Sequence, residues 1–200
     1  MESIFTKRSL VLAAIVIFTI NTSSYGQEAK PEHKLRTNHA FKSNDWALSL
    51  GTSFLTYSYG YGNMFGGIPL ALSFEYGVHR YFGTAVYGGM LHRTPQVGER
   101  SYKQSVYAAG LRFNGHFYNA LDDVIKRVDL KSNIIDMYVS VNVGMDHMVT
   151  NLPINKKTIF YIGVGFGLRA YPFKNKKIGL MTEFGHSLIT PWLLGATFKI

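Results

Sequence analysis

From residue 68 to residue 78 the chain alternates strictly: Ile68, Leu70, Leu72, Phe74, Tyr76 and Val78 are interleaved with Pro69, Ala71, Ser73, Glu75 and Gly77. A helix, with about 3.6 residues per turn, cannot keep these two sets on opposite faces. An extended strand can, because successive side chains leave it on opposite sides. The device recurs. Trp46, Leu48, Leu50 and Phe54 alternate with Ala47, Ser49, Gly51 and Ser53; Tyr107, Ala109, Leu111, Phe113 and Phe117 with Ala108, Gly110, Arg112, Asn114 and His116. Met137, Val139, Val141, Val143 and Met145 alternate with Asp136, Tyr138, Ser140, Asn142, Gly144 and Asp146, and Phe160, Ile162, Val164, Phe166 and Leu168 with Tyr161, Gly163, Gly165, Gly167 and Arg169.

Two weaker stretches complete the series near the C-terminus. Residues 178–186 turn Glu183 to the polar side between Leu180, Thr182 and Phe184, and from residue 192 onward Trp192, Leu194, Ala196, Phe198 and Ile200 oppose Gly195, Thr197 and Lys199. The glycine-rich stretch 82–91 reads as a further strand whose facing the sequence leaves open. Eight strands of roughly ten residues, separated by Gly, Pro, Asn and charge, predict an all-β chain: an eight-stranded antiparallel up-and-down transmembrane β-barrel. An even count brings the chain back to the side from which it starts. A soluble lipocalin-like barrel is the rival fold, but it would carry its apolar residues inside and charge outside.

The same threading divides the connections. Residues 57–67, 92–103, 149–157 and 187–190 become external loops, and 79–81, 118–133 and 172–177 become periplasmic turns. The long turn repeats Leu121, Val124, Ile125 and Val128 at helical spacing across Asp122, Asp123, Lys126 and Arg127, which predicts a short amphipathic helix on the barrel rim or the inner headgroups.

The N-terminus has a different layout. Lys7 and Arg8 precede the apolar run 10–20, and small and polar residues follow up to Gly26, so residues 1–26 read as a cleaved signal peptide. Residues 27–44, polar and without period, read as a mobile periplasmic linker, and 45–200 as the barrel. Outside the N-terminus no run approaches the roughly 18 apolar residues of a spanning helix, although 46% of the chain is hydrophobic. The sequence holds no cysteine, which excludes disulfides, thiolate metal sites and cysteine nucleophiles, and no lipoprotein anchor is expected. The net charge of +9 is scattered over linker, turns and loops without a dense basic run, so a nucleic-acid partner is not expected; the excess suits lipid headgroups.

With the last strand in view, the chain resembles the small outer-membrane barrels of the OmpA/OmpX type and the barrel-domain proteins of Bacteroidetes. The residues that carry this are the terminal Gly195-Ala196-Thr197-Phe198-Lys199-Ile200, the stretch from Gly110 through Arg112 and His116 to Phe117, and the stretch from Asp136 through Tyr138 and Asn142 to Gly144. The likeness covers roughly residues 45–200. It implies an outer-membrane address, lipid and lipopolysaccharide neighbours, and recognition of the last strand by the barrel-assembly machinery. That signal usually ends in Phe, where this chain ends in Ile200. The expected state is a monomer.

Five charges fall on the polar side of strands: Glu75, Arg112, Arg169, Glu183 and Lys199. A charge inside a narrow barrel needs a partner or water, so they predict an interior ion-pair network that plugs the lumen. Distances from the turns put Glu75, Arg112 and Glu183 at similar depth, with Arg169 and Lys199 nearer the inner rim. Such a network is either a static polar core or a gate over a narrow pore for small solutes.

An enzymatic alternative, hydrolysis of lipid A acyl chains, would need a serine, a histidine and an acid in register. Glu183, His186 and Ser187 are the nearest candidates, yet adjacent residues on a strand point to opposite faces, so no enzyme is expected. His33, His39, His92 and His147 with Asp146 do not converge and read as solvated histidines, so neither a metal nor another cofactor is expected. Tyr57, Tyr59, Tyr61 and Phe65 form either an adhesive loop or, with Trp46, Tyr81, Tyr102 and Trp192, a headgroup-level aromatic girdle. The Gly163-x-Gly165-x-Gly167 series leaves room in a lumen and is no nucleotide loop, since no helix follows.

Overall fold

The computed structural model describes residues 39–55, 67–94, 96–97, 100–125, 130–151, 157–185 and 190–200. The expected signal peptide, the linker up to residue 38, the tyrosine-rich loop at 57–65, and His186 with Ser187 lie outside them. Among the described residues, β1 (Trp46–Thr52), β2 (Leu70–His79), β3 (Phe82–Arg93), β6 (Gln104–Gly115), β7 (Ile135–Thr150), β8 (Lys157–Ala170), β9 (Ile178–Gly185) and β10 (Trp192–Lys199) close into one barrel. Between β3 and β6, β4 (Gln96–Val97) and β5 (Arg100–Ser101) form a separate two-residue hairpin. All barrel neighbours are antiparallel, and β1 closes the ring by pairing with both β2 and β10: Leu50 lies opposite Leu72 on one side and Ala196 on the other. Closure removes the unpaired edges that lipid could not hydrogen-bond.

The alternation read from the sequence is the inside and outside of this barrel. In β2, Leu70, Leu72 and Phe74 are exposed while Ala71, Ser73 and Glu75 are buried, and in β6 Tyr107, Leu111 and Phe113 are exposed while Arg112 and Asn114 are buried. The outer wall is therefore apolar, with Leu111 54%, Val164 54% and Ile162 75% exposed. Water would penalise such a wall, and lipid would not. The facing of β3, open in the sequence, is settled by its pairing: Phe82, Val86 and Met90 point out, and Ala85, Tyr87 and Leu91 point in.

The interior departs from the uniformly wet face expected of it. At the end of the barrel opposite the start of β1 and the end of β10, Leu91, Val106, Leu193 and Met148 turn inward, and with Tyr87 and Met181 they form an apolar cluster. Leu91, Val106, Leu193 and Met148 each sit one or two positions inside the end of a strand; Arg93 and Asp146 are buried at this end as well, while the Arg112–Glu183 and Arg169–Glu75 pairs form a separate polar cluster.

Two features close the rim at which β1 begins and β10 ends. The expected helix is present as α1 (Phe117–Val124), and residues 39–44, expected within the mobile linker, are packed against the barrel from His39 onward. His39, Ala40 and Phe41 are all buried; the Ala40 amide donates to the Ser132 carbonyl (2.5 Å), and the Asn44 amide donates to the Gly77 carbonyl (2.7 Å). Polarity without period points to solvation, and here it misleads. These few residues are held by backbone bonds, by side-chain bonds to Ser132, Asn119 and Lys199, and by one aromatic ring.

Candidate functional site

Four of the five inward charges meet inside the barrel. The Arg112 guanidinium lies 2.7 Å from Glu183, and Arg169 lies 2.6 Å from Glu75. All four residues are at most 2% exposed. Glu75 thus pairs with Arg169 and not with Arg112, although residue counts from the turns put Arg112 at its level. Barrel strands tilt against the axis, so such counts on distant strands do not give depth.

Neutral groups complete each pair. Arg112 Nε donates to Asn142 Oδ1 (2.7 Å), and Tyr138 donates its hydroxyl to the same Glu183 oxygen that Arg112 contacts (2.5 Å). Asn114 Nδ2 donates to Glu75 Oε1 (2.6 Å), and the Arg169 guanidinium lies over the Tyr138 ring, 4.5 Å from its centroid. The ring fits because residue 167 is glycine: a Cβ there would collide with the Tyr138 ring itself. A Cβ on Gly83 would likewise meet the Glu75 carboxylate. Glycine on the inner wall makes room, as the sequence implied.

His116 and Asp136, not among the five expected charges, also belong to the cluster. His116 follows β6 and folds into the mouth, with Nδ1 2.8 Å from Asp136 Oδ1 and Nε2 3.0 Å from Glu75 Oε1. With a carboxyl oxygen at hydrogen-bond distance from each ring nitrogen, the site suits an imidazolium, which donates from both. Burial works against that charge, but the Asp136 and Glu75 carboxylates outweigh it and hold the His116 pKa above the ordinary histidine value. Glu75, Asp136 and Glu183 then balance Arg112, Arg169 and His116. The sequence signal for both is parity: His116 continues the polar alternation of Arg112 and Asn114, and Asp136 shares the polar side of β7 with Tyr138.

Lys199 stands apart. Its amine donates to the Ala40 carbonyl, lies 4.0 Å from Asp45 Oδ2 and sits over the Tyr171 ring at 4.3 Å, so it fastens the N-terminal strap at the rim. Phe41 lies flat on His116, with ring centroids 3.4 Å apart and 9° between planes, and covers the imidazolium from below. His39, expected to be solvated, is 4% exposed, bonded to Ser132 at 2.9 Å and 3.4 Å from Asp123. In the adjoining turn, burial and the hydrogen bond that the Tyr81 hydroxyl donates to the Asp123 carboxylate push the Tyr81 pKa up to about 12.

The other candidates stay dispersed. His92 bonds to Ser105 (2.8 Å) and His147 to Thr158 (2.9 Å), each at an exposed position, and no cluster of metal-ligating side chains occurs among the described residues. Glu183, the acid of the enzymatic alternative, is held by Arg112 and Tyr138. Of the girdle, Trp46 is stacked on Phe74 at 4.8 Å, and Trp192 is stacked on Phe184 at 5.9 Å with its indole N–H donated to Thr182.

Eight antiparallel strands closed around a polar core, with an apolar wall outside, define the fold of the small outer-membrane β-barrels. Among solved structures, the outer membrane protein OprG of Pseudomonas aeruginosa is similar with a TM-score of 0.50 at 8% identity, over 80% of this chain and 97% of that one. The N-terminal β-barrel domain of Pseudomonas aeruginosa OprF (TM-score 0.48, 13% identity, 79% of this chain and 98% of that one) is also similar. So is Ail, the attachment invasion locus protein of Yersinia pestis (0.44, 14%, 78% and 97%). No family model and no curated protein sequence matches the chain.

Proposed function

We propose that this protein is a non-enzymatic barrel of the bacterial outer membrane, with a structural or surface-interaction role and a lumen closed by its own side chains. It is a monomer among outer-membrane lipids and lipopolysaccharide, delivered by the 1–26 signal peptide and inserted through its last strand by the barrel-assembly machinery. The observation that carries the reading is the stacking of three layers along the barrel axis. Leu91, Val106 and Leu193 fill the far half, the charge-balanced cluster fills the near half, and Phe41 lies beneath His116. An eight-stranded barrel has room for little more than its own side chains. The purified protein in a planar bilayer is expected to be electrically silent, and Arg112→Ala is expected to leave it so. Steady discrete openings in the wild type would instead favour a narrow pore gated by exchange of the interior pairs.

A further inference from the structure

The helix α1 is amphipathic in the reverse sense to a helix packed on a soluble core. Its inward side is polar: Asn119 Nδ2 donates to the carbonyls of Phe41 (3.0 Å) and Arg80 (2.7 Å), and Asp122 accepts from the Ser132 hydroxyl (2.6 Å). Both residues are at most 1% exposed. On the opposite side Phe117, Leu121, Val124 and the following Ile125 share one stripe, spaced four, three and one apart, with Val124 78% exposed. The stripe is continuous with the outer wall, because the Phe117 ring lies 5.8 Å from that of Phe166, an outward residue of β8. Around the same rim stand Lys131, Lys174 and Lys177, all exposed.

We propose that α1 is a lipid-binding foot, lying in the plane of the periplasmic leaflet with its Phe117, Leu121, Val124 and Ile125 stripe among the acyl chains and the rim lysines against anionic phospholipid headgroups. This rests on the membrane-barrel reading above. The polar side of the helix is consumed by the fold, so an apolar stripe of this kind in water would be unsatisfied, whereas at an interface it is buried to the depth expected of such helices. The lysines at the same level add attraction to an anionic surface.

The absence of cysteine makes single-site labelling direct. Nitroxide-labelled Val124→Cys, Leu121→Cys, Lys174→Cys and Val141→Cys proteins are reconstituted in phosphatidylethanolamine–phosphatidylglycerol vesicles, and collision with oxygen is compared with collision with a water-soluble nickel chelate. Positions 124 and 121 are expected to favour oxygen several-fold over position 174, as position 141 on the outer wall of β7 does. Water-like values at 124 and 121 beside a lipid-like 141 would overturn the foot alone. A water-like 141 would overturn the membrane barrel itself.

Discussion

Arg112 and Glu183 meet 2.7 Å apart at the centre of the barrel, with side chains 1% and 3% exposed. Neither charge has access to water in place of the other, so the pair is coupled. Removing one partner, as in Glu183→Leu or Arg112→Met, strands a buried charge and is expected to cost about 3–5 kcal/mol. The double variant Arg112→Met with Glu183→Leu leaves no stranded charge and is expected to lose less than either single change. Urea unfolding in lipid vesicles measures all of these, and strict additivity would show that the two side chains do not depend on each other.

His116 gives the barrel a pH dependence of known sign. Its folded pKa is raised above the unfolded value of about 6.5, so the stability it contributes is fully present below that pH and is lost as pH rises through the folded pKa. The urea midpoint is therefore expected to fall from near-neutral to alkaline pH. In His116→Gln this slope should flatten. A wild-type midpoint that rises over the same interval would contradict the imidazolium assignment.

Gly167 tests the packing of the network independently of charge. Alanine there forces the Tyr138 ring away, and with it the hydroxyl that donates to Glu183 and the face that Arg169 covers. Gly167→Ala is expected to destabilise by about 1–3 kcal/mol. At Gly88 a Cβ would make only ordinary contact, 3.5 Å from the Ala108 carbonyl oxygen, so Gly88→Ala should be close to neutral on strain grounds. The comparison is read from the same unfolding curves.

These predictions draw on parts of the structure that were unequally legible in the sequence. The strands around Leu72, Leu111 and Val141 announce themselves because a lipid-facing wall tolerates only apolar side chains while a narrow lumen selects small or polar ones. In β3 the glycines at 83, 88 and 89 blur both faces, and inward Tyr87 and Leu91 break the rule that the inner face is wet. The apolar half of the lumen was hidden for the same reason: Leu193 and Met181 are inward neighbours of outward Leu194 and Leu180, so composition alone does not separate the faces. Pairing is less legible still. Inward parity identified Glu75 and Arg169, but barrel tilt decides that they meet. The strap from His39 to Phe41 had no periodic signal because its order comes from contacts with Ser132, Asn119 and His116, residues 75 to 93 positions away.

Heat-modifiable migration is the most direct measurement of whether the chain forms a closed barrel built for lipid. The protein is folded into detergent and run on a gel with and without boiling. The unboiled sample is expected to migrate as a distinct, faster band, because a closed hydrogen-bonded barrel resists the gel detergent until heated. A single unshifted band, from protein that stays soluble without detergent, would contradict the transmembrane barrel.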